Sequence, residues 1–187
     1  MSYNYYCYGQ IKDKEGKWVA LSEKPLSDNL KYYIDFDDIP DCFERVLWDK
    51  SDKAKEGVAE TFAEQFKDIV QYGDAFCVRL DKFISYFQTK AEIVTAKMNG
   101  ILNCMGIEGD INWYDTDEIY TLMDRNEGSE KKKSVPVAKS ALFEMIRCVI
   151  EFNKISYLLN LARTFETMAY DIDDFSNEKK SFLIVME

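Results

Sequence analysis

Carboxylates are the chemically capable side chains that this chain gathers most densely. Asp35, Asp37, Asp38, Asp41 and Glu44 fall together with no lysine or arginine between them. The span 108–130 holds eight carboxylates against a single cation, Arg125. A third group is Asp171, Asp173, Asp174 and Glu178. Clustered oxygen ligands are what Mg²⁺ and Ca²⁺ require. The spacing, however, is not that of a calcium loop. After Asp171, Asp173 and Asp174, the sixth position is Ser176 rather than glycine and the twelfth is Phe182 rather than glutamate. Paired ExxE motifs in register on two helices are also lacking, and no metal or other cofactor is expected.

The remaining chemical vocabulary is thin. The chain has no histidine, which removes Ser-His-Asp triads, Cys-His pairs, histidine-ligated zinc and the HExxH helix together. Its five cysteines, Cys7, Cys42, Cys77, Cys104 and Cys148, are scattered and form no CxxC pair, so neither a zinc ribbon nor a redox motif is available. They read as mostly buried thiols of a reducing, cytoplasmic setting. Neither GxGxxG nor GxxxxGK[ST] occurs, so no glycine-rich loop is present to cradle phosphate.

The second acidic span interleaves its carboxylates with Trp113, Tyr114 and Tyr120. Trp113, Tyr114, Asp115, Asp117, Glu118, Tyr120, Asp124 and Glu127 combine charge that steers association with rings that anchor it. Asp115 and Glu118 also have the spacing of a helix cap for residues up to Met123. The net charge of −10 and pI near 4.7 oppose binding to polynucleotides and anionic membranes. A protein with a basic surface is the partner such a chain fits. Tyr3, Tyr5, Tyr6 and Tyr8 place rings on both faces of one strand, either as core packing or as an exposed stacking platform. Arg79, Lys82 and Arg147 are the cations from which a small pocket for a nucleotide would be assembled.

The elements that must position these residues follow from periodicity. Residues 3–11 alternate as a strand, Asp13–Gly16 turn the chain, and Trp18–Leu21 return it. Tyr32–Phe36 reads as another strand, Asp41–Trp48 as a short helix opened by Pro40, and 52–72 as a helix capped by Ser51. Leu80, Ile84, Phe87, Ala91, Val94, Met98, Ile101 and Met105 repeat at alternating steps of four and three, a heptad seam over a helix of 78–105. Gly100 inside it marks a close contact or a kink. Ser134 and Pro136 announce a helix over 135–170. Its main seam runs from Ala138 through Met145, Phe152 and Phe165 to Ala169, and Ile146, Cys148, Ile150, Leu158 and Leu161 form a second face. A helix apolar on two sides is ordinarily central, which places it between the heptad helix and residues 52–72. Ser181–Met186 reads as a final strand.

The expected architecture is a single α+β domain, 1–187. Two long antiparallel helices stand beside a small antiparallel sheet made of the N-terminal hairpin, residues 32–36 and the C-terminal strand. The heptad seam serves either this helical hairpin or a homodimer. The longest plain apolar run, Phe182–Met186, is far short of the roughly 20 residues a membrane helix needs. The expected function is a non-catalytic, acidic protein-binding module, an inhibitor or adaptor of microbial or phage origin. A small-ligand (nucleotide) binder and a divalent-metal hydrolase are the alternatives.

Overall fold

The computed structural model describes residues 4–35, 39–46, 57–66, 75–104, 135–170 and 176–186, the side chains of 135–140 excepted. These fall into two compact units, Met1–Gln88 with Tyr157–Glu187, and Thr89–Ser156. The elements are β1 (Tyr5–Lys12), β2 (Trp18–Ala20), β3 (Glu44–Arg45), α1 (Glu60–Gln65), β4 (Ala75–Arg79), α2 (Leu80–Cys104), α3 (Val135–Met168) and β5 (Lys180–Met186), with single 3-10 turns at Leu30–Tyr32 and Asn177–Lys179. Two long helices and a five-stranded antiparallel sheet make the fold α+β, as the periodicity requires. Helix α2 starts in the first unit and α3 ends there, so the two run in opposite chain directions.

The first unit is built on the sheet, in the order β2-β1-β5-β4-β3. The β1–β2 turn is fixed by Asp13, whose Oδ1 accepts the backbone N–H groups of Glu15 at 2.9 Å and Lys17 at 2.8 Å. Gly16 takes φ +80°, where a side chain would be strained. The C-terminal strand is the middle of the sheet: β5 pairs with β1 from Tyr5↔Met186 to Ile11↔Lys180 and with β4 from Ala75↔Val185 to Arg79↔Ser181. Residues 180–185 are therefore all buried, and covering both faces removes the polar alternation of a half-exposed strand. Leu183 and Val185 face the cluster of Tyr8, Ala59, Phe62 and Phe66. Phe182 packs instead edge-on against Phe83 at 5.0 Å and tilted against Phe165 at 5.1 Å. Each fully buried ring of this kind contributes about 1.5–3 kcal/mol.

Three local expectations are corrected. Residues 32–35, the described part of the expected strand 32–36, do not form one. The N–H groups of Tyr33 and Ile34 both donate to the Leu30 carbonyl at 2.9 Å, and a backbone closed on itself has nothing left for a ladder. Leu30 and Ile34, four residues apart and both buried, fit a helical turn better than a strand. Residues 41–46, the described part of the expected helix 41–48, are not helical either: Pro40 opens a turn closed by the Phe43 N–H, and Glu44 and Arg45 then pair with β4. Within 52–72, only Glu60–Gln65 is helical among the described residues. Gly57 has φ +113° and Ala59 is extended, so no helix passes through 57–59. The sheet's third and fourth partners come from β4 and β3, which the periodicity did not mark.

In the second unit, Val94, Met98 and Leu102 of α2 and Met145, Cys148, Phe152 and Ile155 of α3 are buried. Lys97 Nζ donates to Glu144 Oε2 at 3.0 Å. Val94 and Met98 of the heptad seam are thus buried within the single chain. Gly100 is exposed, and a Cβ there would meet nothing within 4 Å, so neither a close contact nor a crowded site explains it. Gly100→Ala should raise the unfolding free energy by about 0.5–1 kcal/mol, because alanine loses less backbone entropy in a helix. Urea denaturation measures it, and a destabilised variant would contradict the open surroundings of this position.

The placement of α3 between two other helices is not found. Helix α1 packs on the sheet, where Phe62 lies 5.2 Å from Tyr8. Along α3, Met145, Phe152 and Phe165 are buried as expected, as is Ala169 just beyond its end, and so are Cys148, Leu158 and Leu161. Ile146 and Ile150 of the second face, however, are exposed, together with Phe143. No helix among the described residues is long and apolar enough to cross a membrane.

Candidate functional site

The acidic–aromatic residues Trp113, Tyr114, Asp115, Asp117, Glu118, Tyr120, Asp124 and Glu127 lie outside the described residues, as do Asp37, Asp38, Asp171, Asp173 and Asp174. Of the first acidic cluster, Asp35, Asp41 and Glu44 are described and exposed. Glu44 Oε1 accepts from Lys82 Nζ at 3.2 Å. Among the described residues no group of three or more histidine, cysteine, aspartate or glutamate side chains is placed to hold a metal.

The three cations considered for a nucleotide pocket are each engaged by a carboxylate. Arg79 Nε donates to Asp81 Oδ1 at 3.0 Å, and that hydrogen bond holds the Asp81 carboxyl below its ordinary range. Lys82 meets Glu44, and Arg147 Nη1 meets Glu144 at 3.0 Å. Arg79 and Lys82 belong to the first unit and Arg147 to the second. Tyr8 does not form a stacking platform. It is 4% exposed, with its ring 5.2 Å from Phe62 and 5.0 Å from Phe66.

Two buried polar arrangements were not legible in the sequence. In the first, Ser27 Oγ and Tyr157 Oη lie 2.9 Å apart, and each donates toward Asn29 Oδ1, at 3.0 Å and 3.2 Å. Tyr33 stacks on Tyr157 with ring centroids 3.7 Å apart. Two hydroxyl protons are shared among three oxygens. An amide and a phenol do not accept a proton from serine at neutral pH, so this is a clamp between the 27–33 segment and α3 rather than an activated nucleophile. A sequence separation near 130 residues hides such a cluster from any local pattern.

In the second arrangement, Gln10 is fully buried on β1 and uses both ends of its amide. Its Oε1 accepts the Ala59 N–H at 3.0 Å, and its Nε2 donates to the Gly57 carbonyl. Cys77 Sγ on β4 lies 3.9 Å from Gln10 Nε2 and 3.7 Å from the Gly57 oxygen. Although the Cys77 residue is only half-buried, its thiol is enclosed there, and desolvation pushes it up to about 12. Burial raises Cys7 further, and it raises Cys148 as well. These thiols therefore stay protonated at neutral pH and are poor nucleophiles.

A labelling experiment follows. At neutral pH a thiol reagent should modify exposed Cys104 at least about tenfold faster than Cys7, Cys77 or Cys148, which should react only on unfolding. Raised thiol pKa values also set a pH dependence. Once unfolded, these thiols ionise near 9.0, whereas in the folded chain Cys77 holds its proton to about 12. The stabilising contribution is full below pH 9 and is lost as the pH rises toward 12. Denaturation midpoints should fall across that window and should fall less in Cys77→Ala. Equal labelling rates, or a midpoint indifferent to alkaline pH, would remove the buried-thiol account.

An open, polar recess of about 630 Å³ is lined by Glu23, Lys24, Thr61, Glu64 and Gln65. The second unit exposes large apolar side chains: Ile93 on α2, and Phe143, Ile146 and Ile150 on α3. Exposed apolar side chains of this size are of the kind that contacts between macromolecules use. Comparison of the chain with family models, with curated proteins and with solved structures gives no match, so the functional argument rests on its own residues.

Proposed function

We propose that this chain is a non-catalytic protein-binding module, an inhibitor or adaptor that places an acidic segment on a basic surface of its target. The carrying observation is the segregation of charge. Of a net −10, the span 108–130 contributes eight carboxylates against Arg125 alone, and it lies in the connection between Cys104, the last residue of α2, and Val135, the first of α3. Concentrated charge of one sign accelerates encounter with the opposite sign, and Trp113, Tyr114 and Tyr120 are the residue types that anchor interfaces. Polar groups held by non-basic partners, as Ser27 and Cys77 are, favour binding over catalysis.

The test is affinity capture from lysate at low and high salt, with the wild-type chain and a variant carrying Asp117→Lys, Asp124→Lys and Glu127→Lys. A specific protein should be retained by the wild type at low salt, released at high salt and not retained by the variant, whose fold circular dichroism would check. Retention indifferent to both salt and charge reversal, or no retained protein, overturns the proposal.

A further inference from the structure

Helix α3 carries apolar residues on opposite faces, and the hairpin of the second unit covers one of them. Met145, Cys148 and Phe152 are 2–5% exposed, whereas Phe143, Ile146 and Ile150 are 66%, 38% and 53% exposed. At 3.6 residues per turn the latter three fall within about 60° of arc. Their spacing of three and four is a short a-d-a seam. The area they leave open is on the order of 300 Å², within the range of functional patches on single chains. It is well below the roughly 800 Å² per partner of a standard stable interface.

Charge decides what fits there. With Phe143 and Ile150 at a and Ile146 at d, Arg147 and Lys154 occupy the adjoining e positions, and both are exposed. Arg147 donates to Glu144 across an exposed contact, a solvent-screened pair that is readily exchanged. Glu144 itself reaches the other way, to Lys97 of α2. A second copy laid antiparallel would set Arg147 and Lys154 against their own counterparts. Laid parallel, it would offer them Leu142 and Val149 at the g positions. Neither orientation supplies a carboxylate.

We propose that the Phe143–Ile146–Ile150 face of α3 docks an amphipathic helix of another protein whose flanking positions carry carboxylates. Helix-on-helix docking of this kind reads as anchors at i, i+3 and i+7, and the basic edge selects the partner's sign. The inference goes beyond the acidic-segment reading and concerns a different set of residues.

The probes are two labelled helical peptides of about three heptads with leucine at a and d, one with glutamate and one with lysine at e and g. Each is titrated with the full-length chain by fluorescence anisotropy. The chain's net charge of −10 favours the lysine peptide at long range, so a preference for glutamate can arise only from the local edge. The glutamate peptide should bind at least tenfold more tightly. Ile146→Asp with Ile150→Asp should abolish binding, and Arg147→Glu with Lys154→Glu should invert the preference. Charge reversal at Asp117, Asp124 and Glu127 should leave peptide binding intact, so failure here and failure of the acidic-segment proposal are separable. Binding of neither peptide, or equal binding that ignores the edge reversal, overturns the inference. So does self-association in sedimentation that Ile150→Asp abolishes, because the occupant would then be a second copy.

Discussion

Phe182→Ala should lower the unfolding free energy by about 3–5 kcal/mol. Phe182 lies on the central strand, is 0% exposed, and meets both Phe83 and Phe165 at ring-centroid distances near 5 Å. Truncation removes the ring's transfer free energy and also leaves a cavity that β5, held by strands on both sides, cannot collapse to fill. Since a domain's whole stability is about 5–15 kcal/mol, the variant should unfold at markedly lower urea. Phe182→Leu, which keeps much of the volume, should recover more than half of the loss. A Phe182→Ala cost below about 1 kcal/mol would mean that this packing is not formed in solution.

The second large effect is expected at Gln10. Gln10→Leu keeps the approximate volume but orphans the buried Ala59 N–H and leaves the Gly57 carbonyl only the weak Cys77 thiol donor. Each buried group left without a partner costs about 1–3 kcal/mol. A local consequence separates this account from general loosening. The Gly57 carbonyl and the Gln10 amide enclose the Cys77 thiol, so Cys77 should become labelled faster in Gln10→Leu under native conditions, while Cys7 stays protected. If Gln10→Leu is as stable as the wild type and Cys77 remains unreactive, the amide is not what fastens the 57–59 segment to the sheet.

Close approach on the other face of the same strand gives a related contrast. A Cβ at Gly9 would lie 2.7 Å from Phe165 Cε2 and 3.1 Å from Leu26 Cδ1. Glycine at this position permits the contact of α3 with β1, whereas Gly100 permits nothing comparable. The two glycines look alike in the sequence, each sitting inside a regular element, and only their neighbours distinguish them.

Legibility followed the range of the interaction. Both long helices were readable because their buried positions recur every three to four residues, a signal held within one segment. β1, β2 and β5 were readable from alternation, a turn with Asp13 and Gly16, and an apolar run. β4 was not. Ala75–Val78 is a short apolar stretch leading straight into α2, and a strand covered on both faces carries no alternation to separate it from a buried helix start. Residues 32–36 misled for the converse reason. Tyrosine and isoleucine raise β-propensity, which gives way to context, and here the Leu30 carbonyl takes both N–H groups.

By itself, then, the sequence determined the α+β class, the long α2 and α3 with their buried seams, the pairing-competent ends of the chain, the absence of histidine chemistry and the concentration of charge in 108–130. All of these are properties of composition or of short periodicity. Tertiary structure decided that β5 is the central strand, that Tyr8 is core rather than platform, that Gln10 and Cys77 meet at the 57–59 segment, and that one apolar face of α3 stays open. Burial and hydrogen-bond partners at these positions depend on residues tens to more than a hundred positions away, and no local pattern encodes which side of a helix its neighbours will cover.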